Sequence, residues 1–355
     1  MKLKKIYLNT ILIIFHTLFL FFIIEVISTI IISNFFENKI LSKKIIYSEK
    51  FKYSPHPYLS YYPTPKYSYE GTSHNSLGYR GPEIGIKNDD TYRIITVGGS
   101  TTYTESVKDN KFSFPQQMED ILSEDYNVEV INAGIGGHSS FESLINVALR
   151  VIDLNPDAVI IYHGTNDVHT RFVPPYVHLS DNTGRRKSWS NEDETISGIL
   201  EYSSTYRLFS KWENNIKTSP NYFTGASTNF YFTDDPLNVL SKNSIIFIQR
   251  NFENIISILN EGKIKILLAT FASTKEYDHY AAWDSYQVGF QEQNEMIKNL
   301  SKSNNILLLD FASLMPEDKE YWADGVHVNE AGALKKAKIF SNFIINNFNL
   351  RKYKK

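Results

Sequence analysis

Apolar residues are distributed along this chain in two regimes. From Ile6 to Ile32 nearly every position is apolar, interrupted only by Asn9, His16, Thr17, Glu25 and a few small hydroxyls, and a basic Met1-Lys-Leu-Lys-Lys5 precedes the run. About 20 apolar residues cross a bilayer core, so a stretch of this length suffices even with tilt. A buried core helix would show a polar stripe. A cleaved signal peptide would show a shorter apolar run closed by a small-x-small site. The pattern therefore predicts one uncleaved membrane-spanning helix within residues 1–35. Glu25 inside it is costly unless it is paired or lies at the interface. Lys2, Lys4 and Lys5 on one side nearly balance Lys39, Lys43 and Lys44 on the other. The orientation expected is a cytoplasmic amino-terminal tail with the body of the protein outside the cytoplasm.

From Tyr92 onward the pattern changes to short apolar runs separated by longer periodic stretches. Arg93-Ile-Ile-Thr-Val97, Val128-Glu-Val-Ile131, Ala158-Val-Ile-Ile-Tyr162, Ile264–Thr270 and Ile306–Asp310 read as buried strands. Helical spacing appears over Phe114–Leu122, Phe141–Ile152, Ser244–Leu259, Gln287–Leu300 and Asn329–Phe348. Strands separated by helices of this length imply a parallel five-stranded sheet covered on both faces, a three-layer α/β/α domain over residues 91–350. The alternation lapses between about 170 and 243, where polar and aromatic sequence suggests an insertion with a short helix near Ile196–Trp212 and a candidate lid. Residues 36–90, rich in Tyr and Pro, read as an extended connector packed on the domain through its aromatics. Arg80 within it is a candidate for an anionic group.

Composition narrows the chemistry. The 355 residues carry a net charge of −2 and no cysteine. Disulfides and thiolate metal sites are excluded, and nothing in the charge pattern suggests nucleic acid. His138, His163 and His169 with Asp167 match no ligand spacing, so no metal and no cofactor are expected. His163 and Arg171 stand as candidates for contact with substrate.

Four loops fall at predicted strand ends or just beyond. Ser100 follows Gly98-Gly99 at the end of the first strand, where open α/β sheets place their ligands. As a nucleophile it needs a base, and Asp324-Gly-Val-His327 can provide one: an Asp three residues before a His accepts one ring N–H and frees the other nitrogen to take a proton. Backbone N–H groups of Ser100 and Gly137 and the side-chain amide of Asn166 can face a developing oxyanion. Each piece alone is also a common turn sequence, and a helix-capping role for Ser100 is the plain alternative. Their order and placement at one sheet edge give them weight.

These residues resemble the four blocks of the SGNH/GDSL hydrolases, here Val97-Gly-Gly-Ser-Thr101, Asn132-Ala-Gly-Ile-Gly-Gly137, Gly164-Thr-Asn-Asp167 and Asp324-Gly-Val-His327. The resemblance covers about Tyr92 to Phe348, and Asn75-Ser-Leu-Gly-Tyr-Arg80 is similar to membrane-anchored bacterial members. It implies a flavodoxin-like fold and metal-independent ester chemistry, with Ser100 as nucleophile, His327 as base, Asp324 orienting it, and Gly137 and Asn166 completing the oxyanion hole. The departure is Gly99, where Gly-Asp-Ser would have Asp; altered loop packing with retained chemistry is expected. The function expected is a serine ester hydrolase that removes, or transfers, O-acyl or O-acetyl groups on a cell-envelope glycan. A lipid ester as substrate, and a non-catalytic glycan-binding or polysaccharide-assembly protein that keeps the fold, are the alternatives.

Overall fold

The chain forms two bodies, each following from its own apolar pattern. The structure, a computed structural model, describes residues 2–35, 52–54, 56, 59, 61–182, 203–206, 208–209 and 235–355. In the smaller body, helix α1 runs over Lys2–Phe35 and contains a 26-residue apolar span, Ile6–Ile31, in which Ser28 is buried and most of the large apolar side chains are exposed. At a rise of about 1.5 Å per residue such a span is long enough to cross a hydrocarbon core. Glu25 is not left bare. Its carboxylate accepts from Ser203 Oγ at 2.9 Å, from the Thr205 N–H at 3.1 Å and from the Ser204 N–H, which open the short helical turn at 204–206. Thr29 Oγ1 adds a bond to Ser204 Oγ at 2.8 Å. A charge in an apolar run thus meets the unpaired first-turn N–H groups that suit an anion.

The larger body is built on five parallel strands: β1 (Tyr92–Gly98), β2 (Val128–Gly134), β3 (Ala158–Tyr162), β4 (Lys265–Ala269) and β5 (Leu307–Leu309). Their order is β2-β1-β3-β4-β5, so the chain leaves β1 toward one edge and resumes on its other side at β3. That reversal makes a crevice at the carboxyl ends of β1 and β3. Alternate strand residues serve two cores. Ile94, Val130, Ile160, Tyr162 and Leu267 face one, and Ile95, Ile131, Val159, Ile161 and Leu268 face the other.

Helices cover both faces, giving the three-layer α/β arrangement. They are α2 (Ser100–Tyr103), α3 (Phe114–Leu122), α4 (Ser140–Asn146), α5 (Thr165–His169), α6 (Ile246–Glu261), α7 (Asp284–Asn304) and α8 (Glu330–Asn347). On one face, Phe114 and Met118 of α3 meet Ala337 and Phe340 of α8; on the other, Phe252 and Ile256 of α6 meet Val147 and Val151. Each fully buried side chain of this size contributes roughly 1.5–3 kcal/mol. The spacing at Phe141–Ile152 predicts one α-helix, but the observed α4 stops at Asn146 and continues as a π turn over Val147–Val151. The helix ends at Asn155, which is left-handed at φ 53° before Pro156, a position where α geometry is disfavoured.

The described part of residues 52–90 belongs to the same body rather than hanging from it. Tyr53, Leu59, Tyr61, Tyr62 and Tyr79 are buried in the second core. Of the insertion, positions 183–234 other than 203–206 and 208–209 lie outside the described residues, and with them most of the candidate lid and of the expected helix near 196–212.

Candidate active site

The turn that carries Ser100 is set by two glycines. A Cβ on Gly98 would fall 2.1 Å from the carbonyl oxygen of Tyr162, so β1 and β3 close at this point only without a side chain. A Cβ on Gly99 would fall 2.5 Å from Asn166 Nδ2 and 3.0 Å from the His138 carbonyl oxygen. The expectation for Gly99 therefore changes: its empty side holds the Asn166 amide, and an Asp there requires that amide to move. Ser100 then opens α2, so its N–H is a first-turn donor with no helical acceptor. Only 9% of the residue is exposed.

His327 comes from the turn that precedes α8. Asp324 Oδ1 accepts the N–H groups of Val326 and His327, both at 2.8 Å, and its Oδ2 lies 2.7 Å from His327 Nδ1. With Nδ1–H donating to the carboxylate, Nε2 is an acceptor, and it lies 2.7 Å from Ser100 Oγ. Burial pushes the Asp324 carboxyl up, but the imidazole and two N–H donors outweigh it and bring the pKa down to about 2. Asp324 is thus an anion near neutral pH. Three side chains spread over more than two hundred positions make one continuous chain of hydrogen bonds.

Gly137 and Asn166 stand in the neighbouring loops. Gly137 is left-handed at φ +76°, and a Cβ there would fall 2.3 Å from Tyr61 Oη. The same hydroxyl donates to the Gly136 carbonyl at 2.6 Å, and His138 Nε2 lies 3.1 Å from the Tyr61 carbonyl. Asn166, at the start of α5, donates one amide hydrogen to the His138 carbonyl at 2.9 Å, which ties the β2 and β3 loops together and leaves its second for a ligand. A hydroxyl bonded to an imidazole, with amide donors alongside, can perform acyl transfer.

Residues 96–334 match the model of the GDSL-like lipase/acylhydrolase family. The chain belongs to this family. Its fold is also similar to solved structures of GDSL enzymes. A GDSL-like lipase from Bacteroides thetaiotaomicron is 17% identical, with 74% of this chain and 92% of that one covered, at a TM-score of 0.43. A lipase/acylhydrolase from Enterococcus faecalis is 15% identical, with 73% and 98% covered, at 0.44. An acetyl xylan esterase is 17% identical, with 71% and 99% covered, at 0.43. No curated protein matches the chain.

Not every expected residue reaches the site of this GDSL-like chain. His163 is 1% exposed, with Nε2 2.8 Å from Ser143 Oγ and Nδ1 3.4 Å from Asp167 Oδ2. Burial pushes its pKa down to about 3. Arg171, also buried, donates to the carbonyls of Asn243 at 2.8 Å and Leu240 at 3.2 Å and pairs with Glu292 at 2.6 Å. Both are engaged by the fold. Arg80 is buried too, and it donates to four main-chain carbonyls, those of Tyr103, Thr104, Val107 and Lys108, and to Asn110 Oδ1 at 2.8 Å. Among the described residues no group of three His, Asp or Glu side chains is placed to hold a metal ion.

Two contributors escaped the sequence reading. Tyr61 buttresses the Gly136-Gly137 turn, although nothing local marks it among the many tyrosines of its stretch. The loop after β4 brings His279 against Gly325, where a Cβ would lie 2.5 Å from His279 Nδ1. Burial lowers the pKa of His279, with the Asp324 charge opposing that shift. Tyr280 packs on His279 at a tilt of 39° with centroids 3.9 Å apart and accepts from Thr165 Oγ1 at 3.2 Å, so this loop packs against the turn that carries Asn166. The aromatic run Tyr277-Asp-His-Tyr280, placed just beyond a predicted strand end, is the signal that points to it.

Proposed function

We propose that the chain is a serine ester hydrolase in which Ser100 attacks an ester carbonyl and forms an acyl-enzyme that water resolves. His327 takes the Ser100 proton and returns it to the leaving alkoxide. Asp324 holds the ring in the tautomer that makes this possible. The N–H groups of Ser100 and Gly137 and the Asn166 amide receive the charge on the carbonyl oxygen. The observation that supports this most directly is the 2.7 Å contact from His327 Nε2 to Ser100 Oγ, continued at 2.7 Å from Nδ1 to Asp324. The preferred substrate is an O-acyl, above all O-acetyl, group on a cell-envelope glycan. It is supported by the apolar helix α1, which would hold the enzyme in a membrane with the domain outside the cytoplasm, where surface polymers lie. Hydrolysis of p-nitrophenyl acetate by the full chain, lost in Ser100→Ala, tests the chemistry. Acetate release from O-acetylated envelope polysaccharide, compared with release from a long-chain lipid ester, tests the substrate; a preference for the lipid would overturn the glycan assignment.

A further inference from the structure

Helix α2 has four residues, so its carbonyls find few partners within it. Ser100 O accepts the Glu105 N–H at 3.0 Å. Tyr103 O is taken by Arg80 at 3.0 Å and Asn132 at 3.2 Å. Thr101 O, one residue past the nucleophile, is taken by Lys336 Nζ at 3.0 Å. Lys336 lies on α8 and is 1% exposed. Its ammonium nitrogen sits 3.7 Å from the Tyr162 ring centroid, 4.0 Å from Phe114, 5.5 Å from Phe311 and 5.9 Å from Phe340. Among the described residues no carboxylate pairs with it, and burial alone pushes its pKa well below the ordinary lysine range. Charged or neutral, Nζ–H can donate to Thr101 O.

A lysine in an aromatic box without a counter-ion is costly, and an unbranched apolar residue of similar length fills the same space at lower cost. Residues that break the packing rules in this way concentrate where function requires them. The position of Lys336 gives the requirement. α8 begins three residues after His327, so the helix that follows the base also reaches back to the nucleophile turn.

We propose that Lys336 is a positioning residue for Ser100: by holding Thr101 O it fixes the nucleophile turn against α8 and so sets the Oγ to Nε2 distance. This rests on the serine-hydrolase reading above. A displacement of about 1 Å at the reacting atoms can cost on the order of a hundredfold in rate.

The test compares wild type, Ser100→Ala, Lys336→Met and Lys336→Gln, using p-nitrophenyl acetate kinetics, labelling by a fluorophosphonate probe and thermal melting. Lys336→Met is expected to lower kcat and the labelling rate about tenfold or more, with KM within about twofold. Its melting temperature should stay within about 5 °C of wild type or rise. Lys336→Gln, which keeps an N–H donor without the charge, should recover part of the loss. Wild-type kcat and labelling in Lys336→Met would overturn the proposal, as would a loss carried by KM alone. If both variants melt early in step with their lost activity, or fail to fold, Lys336 serves the fold and the proposal falls. A wild-type enzyme that the probe does not label at Ser100 would instead remove the serine-hydrolase reading, and the proposal with it.

Discussion

Ser100, His327 and Asp324 meet at the open edge of the sheet, while Ser143, His163 and Asp167 meet within the layers, and the residue types are the same. In the first set the imidazole lies 2.7 Å from each partner; in the second, 2.8 Å from the serine and 3.4 Å from the aspartate. Distance separates them only on the aspartate side. Access separates them throughout: the side chains of His327 and Asp324 are 19% and 34% exposed, those of His163 and Asp167 1% each. So do the donors around the serine. The Ser100 N–H heads a helix, whereas the Ser143 N–H is already given to the Ser139 carbonyl at 3.1 Å. Asp167 is also partly committed, since its Oδ1 accepts the Ser140 N–H at 2.8 Å. A Ser–His–Asp arrangement becomes a nucleophile only where a substrate carbonyl can enter and an oxyanion can be received. Sealed from both, the same three residues are cross-links.

The largest contrast expected is between the two serines. Ser100→Ala should lower kcat/KM for p-nitrophenyl acetate by at least about 10³-fold, while Ser143→Ala should stay within about threefold of wild type. Comparable losses from both would erase the distinction drawn here. Asn166→Ala removes the donor proposed to face developing charge, and a loss of about 10²–10³ in kcat is expected; a change confined to KM would mean that Asn166 only binds. Gly99→Asp sharpens the point at the turn itself. Although it would supply the Asp of Gly-Asp-Ser, its Cβ would meet Asn166 Nδ2 at 2.5 Å, and a kcat loss of about tenfold should follow from displacing that amide. Higher activity in this variant would show that the Asn166 position is not the productive one.

Much of this was legible before the structure. Apolar runs ending in glycine or Asn mark the carboxyl edge, and Asp-x-x-His defines its own local hydrogen bond. The burial of His163 is instructive, because the information lay in strand parity. Ala158, Ile160 and Tyr162 face one core, so His163 continues the row of Val159 and Ile161 and turns its ring toward Phe252, 6.1 Å away. Lys336 was legible in the same way. It stands at helical spacing from Ala333 and Phe340, both buried, so α8 must carry it inward. Arg80 and Arg171 could not be placed, since most of their acceptors are main-chain carbonyls that only the folded chain assembles. Tyr61 likewise needs the loop it supports.

The smallest effect expected concerns stability and acts on the sealed set alone. His163 has a folded pKa of about 3 against an ordinary value of 6.5. Between those values the unfolded chain binds a proton that the folded chain refuses, so stability rises with pH across this window and is lost as pH falls through it. His74, lowered by burial to about 4, adds to the same slope. Asp324, shifted from 3.8 to about 2, acts mainly below pH 4 and overlaps only the lower end of this window. His163→Gln keeps a side chain that can bond Ser143 but cannot titrate. It should cost roughly 1–3 kcal/mol at pH 7 through poorer hydrogen bonding, leave kcat near wild type, and lose less stability than wild type between pH 7 and 4. Melting curves that fall in parallel would mean the buried imidazole is not the group refusing the proton. A kcat that falls with the substitution would mean the sealed set communicates with the open one, and the division between them would have to be redrawn at the Asn166-Asp167 turn they share.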